Sequence, residues 1–298
     1  MSGTPPTTGA RANETKGGNS RETMRFRCIP NLEFRVCYAN IGPETGVRDG
    51  RNELLEVLMA DFETMRTPHA GTRQAAIDEG LRTHMNKVYG LMSLAMLVTG
   101  AVAFGVGTNP ALVAAIFGSG LKWVVMLAPL AVVFAFGAMI HKMSTATAQL
   151  VFFGYAALMG LSISFIFAVY TGVSIAQTFL VTAIAFAGLS LYGYTTKRNL
   201  SAMGSFLMMG LIGLIVASIV NIFLASSAMA FAISVIGVLI FAGLTAYDTQ
   251  NIKNTYLQLA AGGGRDFMGK AAIIGALQLY LDFLNMFMFL LQFLGNRE

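Results

Sequence analysis

Residues 271–294 read AAIIGALQLYLDFLNMFMFLLQFL, and a single charged side chain, Asp282, interrupts this apolar run. The run is long enough to cross the hydrocarbon core of a membrane, which takes about 20 helical residues. A carboxylate inside such a helix costs about 3 kcal/mol to insert, so it is normally paired and functional. The sequence therefore predicts a transmembrane helix that carries a functional carboxyl group.

A second aspartate has a similar setting in the preceding apolar run. Asp248 follows residues 228–247 directly, and between residues 80 and 297 the only other acidic residues are Asp266 and Asp282. Asp266 belongs to the glycine-rich loop at 262–266, where a carboxylate costs little. Because consecutive spans are antiparallel and pack side by side, we expect the carboxyl groups of Asp248 and Asp282 to face each other and to share a proton.

Polar residues accompany both aspartates at helical spacing. Gln278, Asp282, Asn285 and Gln292 follow steps of four, three and seven, and Thr245, Asp248 and Asn251 follow steps of three. Residues at these steps share one face of a helix, and a lipid-facing helix does not carry such a polar face. Thr245, Asn251, Gln278 and Asn285 are therefore predicted to line a pore or polar cavity beside the two aspartates.

The composition indicates an all-α polytopic membrane protein. Hydrophobic residues make up 55% of the chain and charged residues 12%, whereas a soluble domain carries about 25% charged residues. The basic residues of the apolar part are scattered singly, which argues against nucleic-acid binding. Seven segments are predicted to span the bilayer: 88–106, 123–140, 149–170, 174–194, 203–225, 228–247 and 271–294.

The first quarter of the chain differs in composition from the rest. Residues 1–80 hold 11 of the 15 acidic residues. We therefore predict a polar, disordered tail over 1–75 and a membrane domain over 76–298, with Met59 and Met65 as alternative start positions. Cys28 and Cys37 lie in the tail without a histidine pair, so they are predicted to be free thiols, and no metal site is expected.

The distribution of basic residues predicts the orientation in the membrane. One side carries Arg73, Arg82, Lys87, Lys142, Lys197, Arg198, Lys253, Arg265 and Lys270, and the other side carries only Lys122 and Arg297. Since basic residues mark the cytoplasmic side, the N-terminus is predicted in the cytoplasm and the C-terminus outside. Lys142 is the best candidate for a cation near the aspartates. Its alternative reading is an ordinary basic flank of the second span.

Two carboxyl groups in contact form a pH-sensitive element. They titrate as a unit in two steps. At low pH a shared proton ties the two helices together, and at higher pH both groups ionise and repel. A doubly ionised pair also suits a hard cation such as calcium. The alternative is that each aspartate is only a structural hydrogen-bonding residue.

Four motifs resemble the signatures of one known family. They are GLSIS at 160–164, LYGYTTKR at 191–198, GLTAYDTQNIK at 243–253 and LYLDFLN at 279–285. Together they resemble the Bax inhibitor family, the transmembrane Bax-inhibitor-motif proteins, in its bacterial form. The resemblance covers about residues 75–298, which include all seven predicted spans.

The resemblance implies a fold and a function. It implies a seven-helix bundle with the last helix central, and a pH-sensitive calcium leak governed by Asp248 and Asp282. A basic latch residue at the end of the second helix matches Lys142 by position. Bacterial relatives often carry arginine there, and lysine lacks the bidentate guanidinium. A bacterial member is expected in the plasma (inner) membrane.

Three classes of function follow from these residues. The first is a pH-gated cation leak, in which calcium is suggested by the resemblance alone. The second is a non-conducting regulator of a membrane protease or of a cell-death pathway, as the family also implies. The third is an intramembrane aspartyl protease of the presenilin type. The Tyr-Asp pair of that class is matched by Tyr247 and Asp248. That class needs Gly-x-Gly-Asp, whereas Tyr280 and Leu281 precede Asp282, so we expect no enzyme and no cofactor.

Overall fold

The computed structural model describes residues 25–28, 37–40, 48–262 and 265–296, with side chains over 75–262 and 267–296. The chain divides into two units, Met1–Pro68 and His69–Glu298. In the first unit, strands β1 (Arg25–Cys28) and β2 (Cys37–Asn40) pair antiparallel. A helix begins at Arg48, so residues 48–75 of the predicted disordered tail are helical. For the residues of the tail that lie outside this description, disorder stays a prediction. The cysteine side chains also lie outside it.

Eight α-helices make up most of the described chain. They are α1 (Arg48–Gly107), α2 (Pro110–Phe117), α3 (Leu121–Met139), α4 (Thr145–Ile163), α5 (Gly172–Thr195), α6 (Ser201–Leu224), α7 (Ser227–Gly262) and α8 (Arg265–Leu294). A 3-10 turn, Ser164–Ala168, continues α4. Within the described residues, seven helices are long and apolar enough to cross a membrane, namely all of these except α2. The prediction of an all-α, seven-span membrane protein is confirmed.

The short helix α2 was not predicted. Thr108 and Asn109 separate α1 from a new helix. Asn109 caps this helix, because its Oδ1 accepts from the backbone N–H groups of Ala111 (3.1 Å) and Leu112 (3.4 Å). Pro110 follows at the first helical position, where its missing N–H costs nothing. The apolar residues between the first two spans therefore form a helix of their own.

Helix α7 continues well past residue 247, where the predicted span ends. Its last turns are anchored to the turn between α5 and α6. The side chain of Gln250 accepts from the N–H of Leu200 and donates to the carbonyl of Arg198, both at 2.8 Å. The Nζ of Lys253 donates to the carbonyl of Tyr194 at 2.9 Å. Asp248 consequently lies inside a continuous helix and not at its end.

The last helix occupies the centre of the second unit. In the apolar window of α8, 61% of the residues are buried, against 11–39% in the other six spans. Helices α4, α5 and α7 pack on it. From α1, Thr99 Oγ1 lies 2.6 Å from Tyr280 Oη on α8 and 2.9 Å from the Ala156 carbonyl on α4. The expected central position of the last helix is confirmed.

Some glycines of the spans allow close approach between helices. A Cβ added to Gly193 on α5 would overlap the carbonyl of Ala246 on α7, and one added to Gly160 would lie 2.5 Å from the carbonyl oxygen of Thr99. Added carbons would also meet neighbouring side chains at Gly204, Gly210, Gly237 and Gly243, whereas Gly154, Gly188 and Gly213 have nothing within 4 Å. Close packing therefore explains part of the glycine content, as small residues in membrane helices suggest.

Candidate functional site

Helices α7 and α8 bring the two aspartates of the apolar runs together. The carboxyl groups of Asp248 and Asp282 contact each other through a side-chain hydrogen bond. Asp282 is only 4% exposed, and Asp248 is half-buried. The pair lies within two adjacent spans, where water is scarce and a polar group depends on its protein partners.

The surroundings of the pair favour one proton shared between the two groups. The Oδ2 atom of Asp282 is buried and accepts no hydrogen bond from an N–H or O–H group of the described residues. Among the same residues, no basic side chain acts on either carboxyl group. Two bare carboxylates would repel, whereas a carboxylic acid donates a hydrogen bond to a carboxylate. The arrangement therefore fits a singly protonated pair.

A cavity of about 550 Å³ opens beside the pair. Its polar lining consists of Asp248, Gln278, Asp282 and Asn285, with Ser218 from α6. The remaining lining is apolar and comes mainly from α6. Along α8 the cavity extends from Gln278 to Phe289, or about 16 Å at about 1.5 Å per residue. The carboxyl pair therefore forms part of the polar lining of an otherwise apolar cavity.

Tight packing seals α7 against α8 on the other side of the pair. Ile252, one turn after Asp248, is 4% exposed. A Cβ added to Gly275 on α8 would lie 2.9 Å from Ile252 Cγ1, so the isoleucine rests directly on the glycine backbone. The pair thus lies between the cavity and this Ile252–Gly275 contact.

Two predicted lining residues do not reach the cavity. Thr245 is completely buried and its hydroxyl donates to the carbonyl of Phe241 at 2.8 Å, and Asn251 is half-buried elsewhere. Steps of three fall short of the helical repeat of 3.6, so successive residues rotate around the axis. The cavity-facing row of α7 is instead Phe241, Leu244 and Asp248. The prediction for Thr245 and Asn251 is corrected accordingly.

Lys142 does not accompany the pair. It lies in the turn after α3 with an exposed side chain, and it does not line the cavity. The turn is contacted by Lys270 of α8, whose Nζ donates to the carbonyl of His141 at 3.1 Å. The predicted proximity of Lys142 to the carboxyl groups is therefore not seen. A latch role for it stays a prediction.

A hydroxyl network next to the pair was missed by the sequence reasoning. Tyr89 Oη on α1 lies 2.6 Å from Ser190 Oγ on α5, which lies 3.0 Å from Thr249 Oγ1 on α7. The network joins three helices one residue away from Asp248. The only signal of this network in the sequence is the presence of single hydroxyl residues within apolar spans. That signal is weak, because such hydroxyl groups also donate to carbonyl groups of their own helix, as Thr249 does to Thr245.

Comparison with known proteins agrees with this architecture. The sequence profile of the family described as "Inhibitor of apoptosis-promoting Bax1" matches residues 81–298. The chain is 46% identical over 220 residues to the Escherichia coli "Inner membrane protein YbhL", covering 74% of this chain and 94% of the relative. It is also 46% identical to uncharacterized proteins of Rickettsia prowazekii (228 residues; 76% and 95% covered) and Caulobacter vibrioides (252 residues; 80% and 100% covered). The chain is therefore an integral, multi-pass membrane protein that belongs to the Bax inhibitor family.

Proposed function

We propose that this chain is a pH-sensitive cation leak channel, with calcium as the permeant ion, gated by Asp248 and Asp282. The observation that carries the proposal is the direct contact of the two carboxyl groups at the edge of a cavity. A carboxyl pair inside a membrane is expensive to keep, and such residues mark ion or proton pathways.

The proposed gate works through the charge of the pair. With one proton shared, the carboxyl groups hold α7 and α8 together beside Ile252 and Gly275. When pH rises and the proton leaves, the two like charges repel by about 4 kcal/mol at 4 Å and an effective dielectric constant of 20. This repulsion loosens the contact and leaves an oxygen-rich, doubly negative spot, which suits a divalent cation. The leak is therefore small in acid and grows as pH increases.

The proposal also covers the membrane in which the chain lies, its orientation there, and the absence of catalysis. We place the chain in the inner membrane, because the Escherichia coli relative is named an inner membrane protein. We place the N-terminus in the cytoplasm, because basic residues collect on that side. We propose no catalysis and no cofactor. Tyr280 is completely buried and bonded to Thr99, so the backbone beside Asp282 is not open to a substrate strand.

The pH dependence can be measured directly. We expect purified protein in calcium-loaded liposomes to release calcium faster at pH 8 than at pH 6, with a monotonic rise between the two values. Empty liposomes of the same lipid, measured at each pH with an ionophore added at the end, give the background and the total content. A flux that falls with rising pH, or no flux above background at any pH, contradicts the proposal.

The Ile252–Gly275 contact is expected to act as the seal of the leak. Replacing Ile252 with alanine removes the side chain that rests on α8, so calcium release at acidic pH should increase several-fold over that of the unmodified protein. Ile236→Ala is the matched control, because Ile236 lies on the same helix with 51% exposure. Equal release from both variants would exclude Ile252 as a seal.

A second candidate function comes from the description of the family as inhibitors of the apoptosis-promoting protein Bax1. In this alternative the chain conducts nothing and acts by binding a partner, such as a membrane protease. It gains support if liposomes with the protein show no calcium release over the whole pH range while a protease co-purifies from mild detergent. Release that follows pH favours the channel.

A further inference from the structure

A long groove separates α1 from α5 on the outer surface of the bundle. Its volume is about 1270 Å³, and the hydrogen bond between Tyr89 and Ser190 crosses it. Leu97 and Leu191, which line it, are 69% and 63% exposed, so the groove opens towards the surroundings of the bundle. Phe283 of α8 lies in its wall. Phe283 is only 4% exposed, because Phe179 and Phe186 of α5 pack against it, so packed aromatic side chains form the base of the groove.

The groove is about as long as the hydrocarbon core of a bilayer is thick, and it is narrow where α1 and α5 are hydrogen-bonded to each other. Its lining on α1 runs from Glu79 to Ala101, or about 33 Å at about 1.5 Å per residue, against about 30 Å for the hydrocarbon core. A helix is about 10 Å wide, whereas Tyr89 Oη on α1 and Ser190 Oγ on α5 lie only 2.6 Å apart across the groove, so a helix cannot lie deep between α1 and α5 at this point. Small wall residues such as Ser93, Gly100, Ala183 and Ala187 instead leave room for a thin, flexible chain.

The two ends of the groove differ in polarity. Beyond Met96 the lining is apolar, whereas the other end contains the side chains of Glu79, Arg82 and Asn86. The charged residues in and next to that end are Asp78, Glu79, Arg82, Lys87, Lys197, Arg198 and Lys253, whose Nζ donates to the carbonyl of the lining residue Tyr194, so basic residues outnumber acidic ones by five to two. Arg82 is exposed and lines the groove itself, and its planar guanidinium matches a phosphate group.

We propose that this groove is a binding site for an anionic phospholipid, with one acyl chain between α1 and α5 and the phosphate on Arg82. The acyl chain lies along the base of the groove, beside Phe179 and Phe186. The headgroup lies where basic residues are in excess. This inference does not depend on ion conduction, because it follows from the shape and charge of the groove alone.

The test uses the full chain in nanodiscs that contain phosphatidylglycerol with a photoreactive diazirine in its acyl chain. After irradiation, cross-linked peptides are mapped by mass spectrometry. We expect labelling concentrated on residues 82–101 and 179–194, several-fold above the lipid-facing surface of α6. Labelling spread equally over α5 and α6, or a protein–protein cross-link from α1 or α5 to a second copy in place of lipid, would overturn the site.

Two pairs of variants test the headgroup and the groove separately. Arg82→Gln should reduce labelling by anionic lipid about fivefold, as expected for one basic residue near the membrane surface, while Lys142→Gln, at an exposed basic residue that does not line the groove, should not. Ala187→Trp fills the groove and should abolish labelling of 179–194, whereas Ile184→Trp, at a lipid-facing position with 66% exposure, should not. If either variant behaves like its control, the proposal fails, provided that both elute as monodisperse protein.

Discussion

Replacing Asp282 with asparagine is expected to leave a calcium flux that no longer changes with pH. The amide of asparagine donates permanently to the carboxylate of Asp248, so the contact between α7 and α8 persists whatever the proton concentration. The repulsion that opens the gate, about 4 kcal/mol for two charges 4 Å apart at an effective dielectric constant of 20, cannot develop. Release at pH 8 should therefore fall at least about tenfold, which corresponds to only about 1.4 kcal/mol.

The partner residue and a remote acid provide the controls for this experiment. Asp248→Asn should have the same effect, and the double variant should add little, because the two groups act as a unit and their effects are not additive. Glu79→Gln removes an exposed acidic group of α1 and should retain the pH response. An Asp282→Asn protein that titrates like the unmodified chain would show that the pair does not gate the flux.

Replacing Gly193 with alanine is expected to destabilise the bundle strongly. The new Cβ would overlap the carbonyl of Ala246, and because this neighbour is backbone, only a shift of α5 away from α7 can relieve the clash. Overpacking of this kind costs about 1–3 kcal/mol, or roughly 2–12 °C in the midpoint of thermal unfolding for a domain of this size. The midpoint can be followed in detergent by the loss of monodisperse protein on heating.

Gly188 provides a matched control on the same helix. Nothing lies within 4 Å of a Cβ added there, and alanine is the better helix former by about 1 kcal/mol. Gly188→Ala should therefore unfold at the same temperature as the unmodified chain or slightly higher. If the Gly193 and Gly188 variants have equal midpoints, the close approach of α5 to α7 is not a source of stability.

The number and type of the helices could be predicted because the bilayer sets their length. Seven apolar runs of sufficient length predicted seven spans, and seven helices of the described residues have the length and apolar composition to cross a membrane. Prediction from hydrophobicity fails where a helix continues beyond the hydrophobic residues. At residues 248–262 the apolar pattern stops, yet α7 continues because Gln250 and Lys253 bond to the turn between α5 and α6, and no local pattern encodes such a partner.

The two aspartates of the candidate site could be predicted because charged residues are rare in the membrane domain. Asp248 and Asp282 could be paired from sequence because almost no other carboxylate occurs in the membrane domain. The faces of the two helices were harder to assign, since Thr245 lies only about 60° from Asp248 around the axis and packs into the interior. The contact between Thr99 and Tyr280 depends on where α1 meets α8, and a single sequence contains no information on that placement.

The hydrogen bonds at the end of α7 couple this helix to the segment that connects α5 with α6. Gln250 and Lys253 hold the backbone of Arg198, Leu200 and Tyr194 within two turns of Asp248. A tilt of α7 must either break these three bonds or drag the connecting segment with it. If loss of the shared proton tilts α7, as proposed, the charge of the buried carboxyl pair is transmitted to the end of the helix as a displacement of Lys197 and Arg198.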